Sequence, residues 1–177
     1  MKQLSVVMMT RFKIPLILQC LIFLIPLNFY IVGDLILVNA QWALFRYQQF
    51  SLGNSLILGY RDILFIQKGL STGLYNIAAT LFWTAGAVIL LIGLIITLVA
   101  YTRKESDKIK TASYFTLAGG IFLGLSAIFR FHGGFAIPVG IPIILIIGWS
   151  MYHETYDPDE TNDETDAETD DDESGPE

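Results

Sequence analysis

Four apolar stretches, 14–38, 74–101, 111–130 and 135–152, leave a chain of this kind few ways to fold. Each holds close to the roughly 20 predominantly apolar residues that a helix rising 1.5 Å per residue needs to cross a bilayer. Hydrocarbon offers no hydrogen bonds to an open backbone, so helices are the default spanning element. The sequence therefore predicts an all-α membrane protein. It is a bundle of four transmembrane helices with an amphipathic outer-face segment over 39–73 and a disordered acidic C-terminal tail.

Charge divides the chain in the same place. Residues 1–153 hold all 11 Lys and Arg against four acids, Asp34, Asp62, Glu105 and Asp107, whereas 154–177 hold 13 acids and no base. The formal net charge of -6 averages a basic body and a strongly acidic extension. With only Tyr156 and Ala167 as hydrophobic residues, the tail cannot build a core and is expected to be solvated and disordered. It opposes binding to nucleic acid or anionic lipid and suits a basic cytoplasmic partner.

Lysine and arginine near span ends set orientation. Lys2, Arg11 and Lys13 precede the first stretch, and Arg103, Lys104, Lys108 and Lys110 fill the connection between the second and third. An even number of spans separates these clusters from the tail. Both termini are expected in the cytoplasm, and the protein in the plasma (cytoplasmic) membrane. The first stretch is longer than a signal-peptide core and has no small-x-small cleavage site, so it reads as an uncleaved span.

Within the spans, glycines mark close helix approach. Gly86 and Gly93 stand seven apart, and Gly120 and Gly124 form Gly-x-x-x-Gly beside Gly119. Pro26 and Pro142 fall inside expected helices and predict kinks. Between 40 and 70, apolar and aromatic residues are broken by Gln, Arg, Asn, Gly and Asp. This pattern predicts interfacial helices near 41–50 and 55–67 around a turn at 51–55, with two short strands as the alternative.

The chemistry-bearing residues are few. Arg130 and His132 flank the tight turn between the third and fourth stretches, and Asp34 and Asp62 belong to the same outer face. They are candidates for a ligand contact or a structural ion pair, since a guanidinium can hold a carboxylate or phosphate through two parallel bonds. His132 and His153 lie at opposite ends of one span and cannot share a metal, so no metal site and no cofactor is expected. Cys20 is the only cysteine and excludes an intrachain disulfide. No catalytic grouping is readable. The leading expectation is a non-enzymatic accessory or structural subunit of a membrane assembly, contacting lipid and a homo-oligomeric or other membrane-protein partner. The second is a small transporter or channel-forming oligomer with Arg130 and His132 at its outer mouth. A membrane-embedded enzyme is third.

Overall fold

The computed structural model describes residues 2–32, 37–50, 53–71, 73–132 and 134–155. Asp34 and the acidic tail from 156 onward lie outside the described residues. The chain runs α1 (Lys2–Leu24), β1 (Asn28–Val32), β2 (Leu37–Gln41), β3 (Phe45–Phe50), β4 (Gly53–Leu58), α2 (Gly59–Gln67), α3 (Leu74–Arg103), α4 (Ser106–Phe131), β5 (Gly134–Ile137) and α5 (Gly140–Thr155). Two of these helices, α3 and α4, are long and apolar enough to cross a membrane. The apolar parts of α1 and α5, Lys13–Leu24 and Gly140–His153, are shorter.

The all-α expectation is corrected by a five-stranded antiparallel sheet of order β4-β3-β2-β1-β5. The stretch 14–38 is not one helix. Pro26 has no N–H to donate and disfavours helical geometry in the residue before it, so α1 ends at Leu24 and the chain re-enters order as β1. Pro26 is thus a stop rather than a kink. Residues 41–50, expected as an interfacial helix, form the end of β2 and all of β3, and 55–67 divides into β4 and the helix α2. The start of the fourth stretch is β5, which pairs with β1 through Phe29↔Ile137 and Ile31↔Phe135. Pro142 is the third residue of α5, where a missing donor costs little because first-turn amides have no intrahelical acceptor. The predicted kink at Pro142 therefore has no cause.

The two long helices form a close antiparallel pair. A Cβ at Gly86 would lie 2.9 Å from Leu123 Cγ and 3.1 Å from the Gly119 carbonyl oxygen. One at Gly120 would lie 2.8 Å from Leu145 of α5. Gly93 meets Gln19 and the Phe115 side chain at 3.3 Å, whereas a Cβ at Gly124 would find only ordinary contact at 3.8 Å. Towards the start of α3 and the end of α4, Ser126 donates to the Ala79 carbonyl at 2.7 Å. Midway along, the Gln19 amide donates to the Thr116 hydroxyl, a buried link from α1 to α4.

The sheet is stitched to this bundle at its helix ends. The Gly140 amide donates to the Leu27 carbonyl at 3.0 Å, and a Cβ there would stand 2.6 Å from the Pro26 carbonyl oxygen. Fully buried Trp83 of α3 donates its indole N–H to the Trp42 carbonyl at 2.9 Å.

Strand registers give the sheet two unlike faces. Successive side chains alternate, so Phe29, Ile31, Val38, Leu56, Phe135 and Ile137 share one face, and all six are exposed. Tyr30, Asn39, Gln41, Arg46 and Gln48 share the other, with Tyr30, Asn39 and Gln41 buried. A sheet in water places its apolar face inward. This sheet does the reverse across β1, β2 and β5, although Gln49 and Asn54 add polar groups to the exposed face and Ile57 and Ala136 add apolar ones to the buried face.

Candidate polar site under the sheet

The inward polar face closes over a cavity of about 400 Å³. Its walls are Tyr30, Asn39, Arg46 and Gln48 from the sheet, Asp62 and Phe65 from α2, Leu70 and Ser71 from the following turn, Asn76 and Thr80 from α3, and Arg130 from α4. Strand alternation delivers the first group: Tyr30 stands between outward Phe29 and Ile31, and Arg46 pairs in register with Gln41. Asp62 sits in the first turn of α2, where a carboxylate also complements the helix dipole.

Two guanidiniums converge on Tyr30 in different ways. Arg46 donates from Nη1 to the Tyr30 hydroxyl at 3.1 Å and from Nη2 to Asp62 Oδ1 at 2.8 Å. The Arg46 and Asp62 side chains are only 15% and 7% exposed, so this is a largely buried ion pair. Burial works against the Arg46 cation. Its attraction to Tyr30 and Asp62, with the hydrogen bonds to both, more than offsets that and holds its pKa above the ordinary arginine value.

Arg130 lies over the Tyr30 ring, 4.4 Å from guanidinium carbon to ring centroid. Its Nε is buried without a hydrogen-bond partner among the described residues. No carboxylate among those residues forms an ion pair with it, since Asp62 is engaged by Arg46. A cation–π contact contributes about 0.5–2 kcal/mol, whereas removing a cation from water costs several kcal/mol. The ring alone does not compensate Arg130. Asp62 Oδ2 and Arg46 Nε are likewise buried without partners among the described residues. The wall thus carries two fixed positive charges and one negative charge, with polar atoms left unsatisfied.

Of the residues singled out from sequence, Arg130 and Asp62 share this cavity, although Asp62 binds Arg46 rather than Arg130. His132 stands apart at the exposed end of α4, stacked on Tyr75 at 5.0 Å with Nδ1 3.2 Å from the Ile128 carbonyl oxygen. Asp34 lies outside the described residues. Sequence reasoning missed Arg46 and Tyr30, the two residues that connect Asp62 to Arg130. The only signal for them was period-two alternation in 28–32 and 45–50, legible once those segments are taken as strands. Among the described residues no group of three or more His, Cys, Asp or Glu comes together to hold a metal ion. Compared with known proteins, the chain matches no family model and no curated relative.

Proposed function

We propose that the chain is a multi-pass integral membrane protein that works by binding rather than by catalysis, an accessory or structural subunit of a membrane assembly. The observation that carries the membrane part is the inverted sheet: apolar side chains face outward, continuous in character with the exposed Leu81, Val88, Ile92 and Ile95 of α3 and Ile121 and Ile128 of α4. An outer surface this apolar on both helices and strands suits lipid and not water.

Length supports the same reading. The apolar part of α1, Lys13–Leu24, rises roughly 18 Å and that of α5, Gly140–His153, roughly 21 Å, against a hydrocarbon core of about 30 Å. Each short helix continues into a strand, α1 into β1 and, reading backwards, α5 into β5. A strand advances about 3.3 Å per residue, so four or five residues make up the difference. The four crossings are then two long helices and two helix–strand composites. β1 is paired on both sides, whereas the free edge of β5, within a composite crossing, needs a pairing partner, and that of β4 needs pairing or hydration, which favours the outer headgroup boundary for the β4 side of the sheet. Arg103, Lys104, Lys108 and Lys110 at the α3–α4 turn favour the cytoplasm for the other end, with both termini there.

Binding is favoured over catalysis by how the cavity's charges are spent. Its one carboxylate, Asp62, has an oxygen committed to Arg46, and the remaining charged walls are guanidiniums, which neither give nor take protons at ordinary pH. A transporter is the second reading, favoured by the buried Gln19–Thr116 contact in the middle of the bundle, a polar step below the cavity. Labelling of single cysteines from either side of the membrane tests the topology. Position 70 should react from outside and position 106 from inside, and the opposite pattern or a three-crossing pattern overturns it. Size analysis of the gently extracted protein with mass spectrometry of what co-purifies tests the subunit reading: a stoichiometric membrane-protein partner is expected, and a partner-free homo-oligomer favours transport.

A further inference from the structure

We infer that the cavity under the sheet is a binding site for a singly charged anionic group, a carboxylate or a phosphodiester, held by Arg130 with Arg46 as the second positive wall. Charge sets the class. Two guanidiniums against the single Asp62 carboxylate leave one uncompensated positive charge, and a monoanion neutralises the cavity where a dianion would face Asp62. The Arg130 guanidinium is held by the Tyr30 ring, leaves Nε buried without a partner among the described residues, and forms part of the cavity wall. A cation over a ring face spends none of its N–H donors on the ring, so the guanidinium keeps donors for an acceptor, and its planar fork suits two-point recognition of a carboxylate or phosphate.

The rest of the wall fits such a ligand. Ser71, Thr80 and Gln48 offer neutral donors for further oxygens, and Phe65 and Leu70 offer an apolar surface beside them. A cavity of about 400 Å³ lies within the range that small-molecule sites occupy. The same anionic chemistry has two sources. A phospholipid supplies a phosphodiester at the headgroup level, and a soluble metabolite supplies a carboxylate. The inference rests on the membrane reading only for the nearness of the first source, and binding in a neutral detergent tests the cavity whatever the topology.

The test uses the full chain in dodecyl maltoside, titrated with dihexanoyl phosphatidylglycerol and separately with butyrate, with melting temperature and native mass spectrometry as readouts. One probe at least is expected to bind and stabilise the protein. Arg130→Gln should weaken that binding by at least about tenfold, Arg130→Lys by less, and Arg61→Gln, an exposed residue outside the cavity, not at all. Binding of the lipid without competition from butyrate identifies a headgroup site, and binding of butyrate identifies a soluble carboxylate. Should Arg130→Gln fail to fold, Arg130→Lys decides, because it keeps the charge but loses the two-point fork and should weaken anion binding severalfold. No binding of either probe to the wild-type protein, equal binding to wild type and Arg130→Gln, or binding by Arg130→Lys equal to wild type overturns the inference.

Discussion

The seam between α3 and α4 and the space beneath the sheet are both interiors behind an apolar exterior, yet they are built on opposite rules. At the seam, Gly86 and Gly119 let two backbones approach until a Cβ has no room, and the buried side chains nearby are small or apolar. Beneath the sheet, the interior is lined by two arginines, an aspartate, a tyrosine and amides. The first interior is closed by direct contact between small side chains and backbone. The second holds more polar groups than it pairs. In a lipid-facing protein, helix association depends on packing rather than on a hydrophobic difference between inside and outside, so tight glycine contacts hold the bundle. An enclosed set of charges beside it costs stability unless it is satisfied, which is the ground for proposing a binding site there.

Substitutions can break that contrast at either end. The largest loss is expected for Asp62→Ala, which leaves Arg46 buried without its counter-ion. Breaking one partner of a buried pair costs about 3–5 kcal/mol, and the thermal midpoint in detergent should fall accordingly. A loss no greater than that of an exposed ion pair would mean that the cavity is wetter and looser than the described geometry.

Gly119→Ala comes next. Its Cβ would lie 2.8 Å from the Leu90 side chain and 3.2 Å from the Gly86 carbonyl oxygen, and overpacking of this kind costs about 1–3 kcal/mol. Thermal melting checks it, and an unchanged midpoint would show that the seam can part at no cost. Ile31→Lys, on the exposed face of the sheet, should cost about 1 kcal/mol in bilayers if that face lies near the outer interface, and about nothing if it faces water. Melting in nanodiscs and in detergent separates the two. Gly124→Ala should change stability by less than about 0.5 kcal/mol, because nothing lies closer than 3.8 Å to its added methyl. The pair Gly119 and Gly124 thus tests whether spacing alone or actual contact makes a glycine structural.

These two regions also differ in how far the sequence discloses them. The stretches 74–101 and 111–130 lie within α3 and α4 and were legible because uninterrupted apolar length is a local property. The missing part at the start of α4, Ser106–Lys110, is polar, helical but outside the apolar pattern. The stretch 14–38 misled for the complementary reason. A predominantly apolar run looks the same whether it continues as helix or turns into a strand at Pro26, and the pairing Ile31↔Phe135 that decides the matter joins residues about a hundred positions apart. The site was half legible. Arg130 and Asp62 stand out as isolated charges near apolar segments, but their connection through Tyr30 and Arg46 depends on strand register. Period-two alternation in such short segments does not say which face is buried, so it cannot place Tyr30 and Arg46 inside.

The central claim, that the sheet turns its apolar face to lipid over a polar cavity, is tested most directly by spin labels at positions 31 and 135. The full chain would carry Cys20→Ser, since Cys20 is free and exposed, and would be reconstituted in bilayers. Collision with oxygen, which concentrates in lipid, is compared with collision with a water-soluble nickel chelate, using position 95 in α3 as the lipid reference and position 104 as the aqueous one. The account predicts that 31 and 135 favour oxygen, as 95 does. Dominant collision with the nickel chelate at both, as at 104, would contradict it.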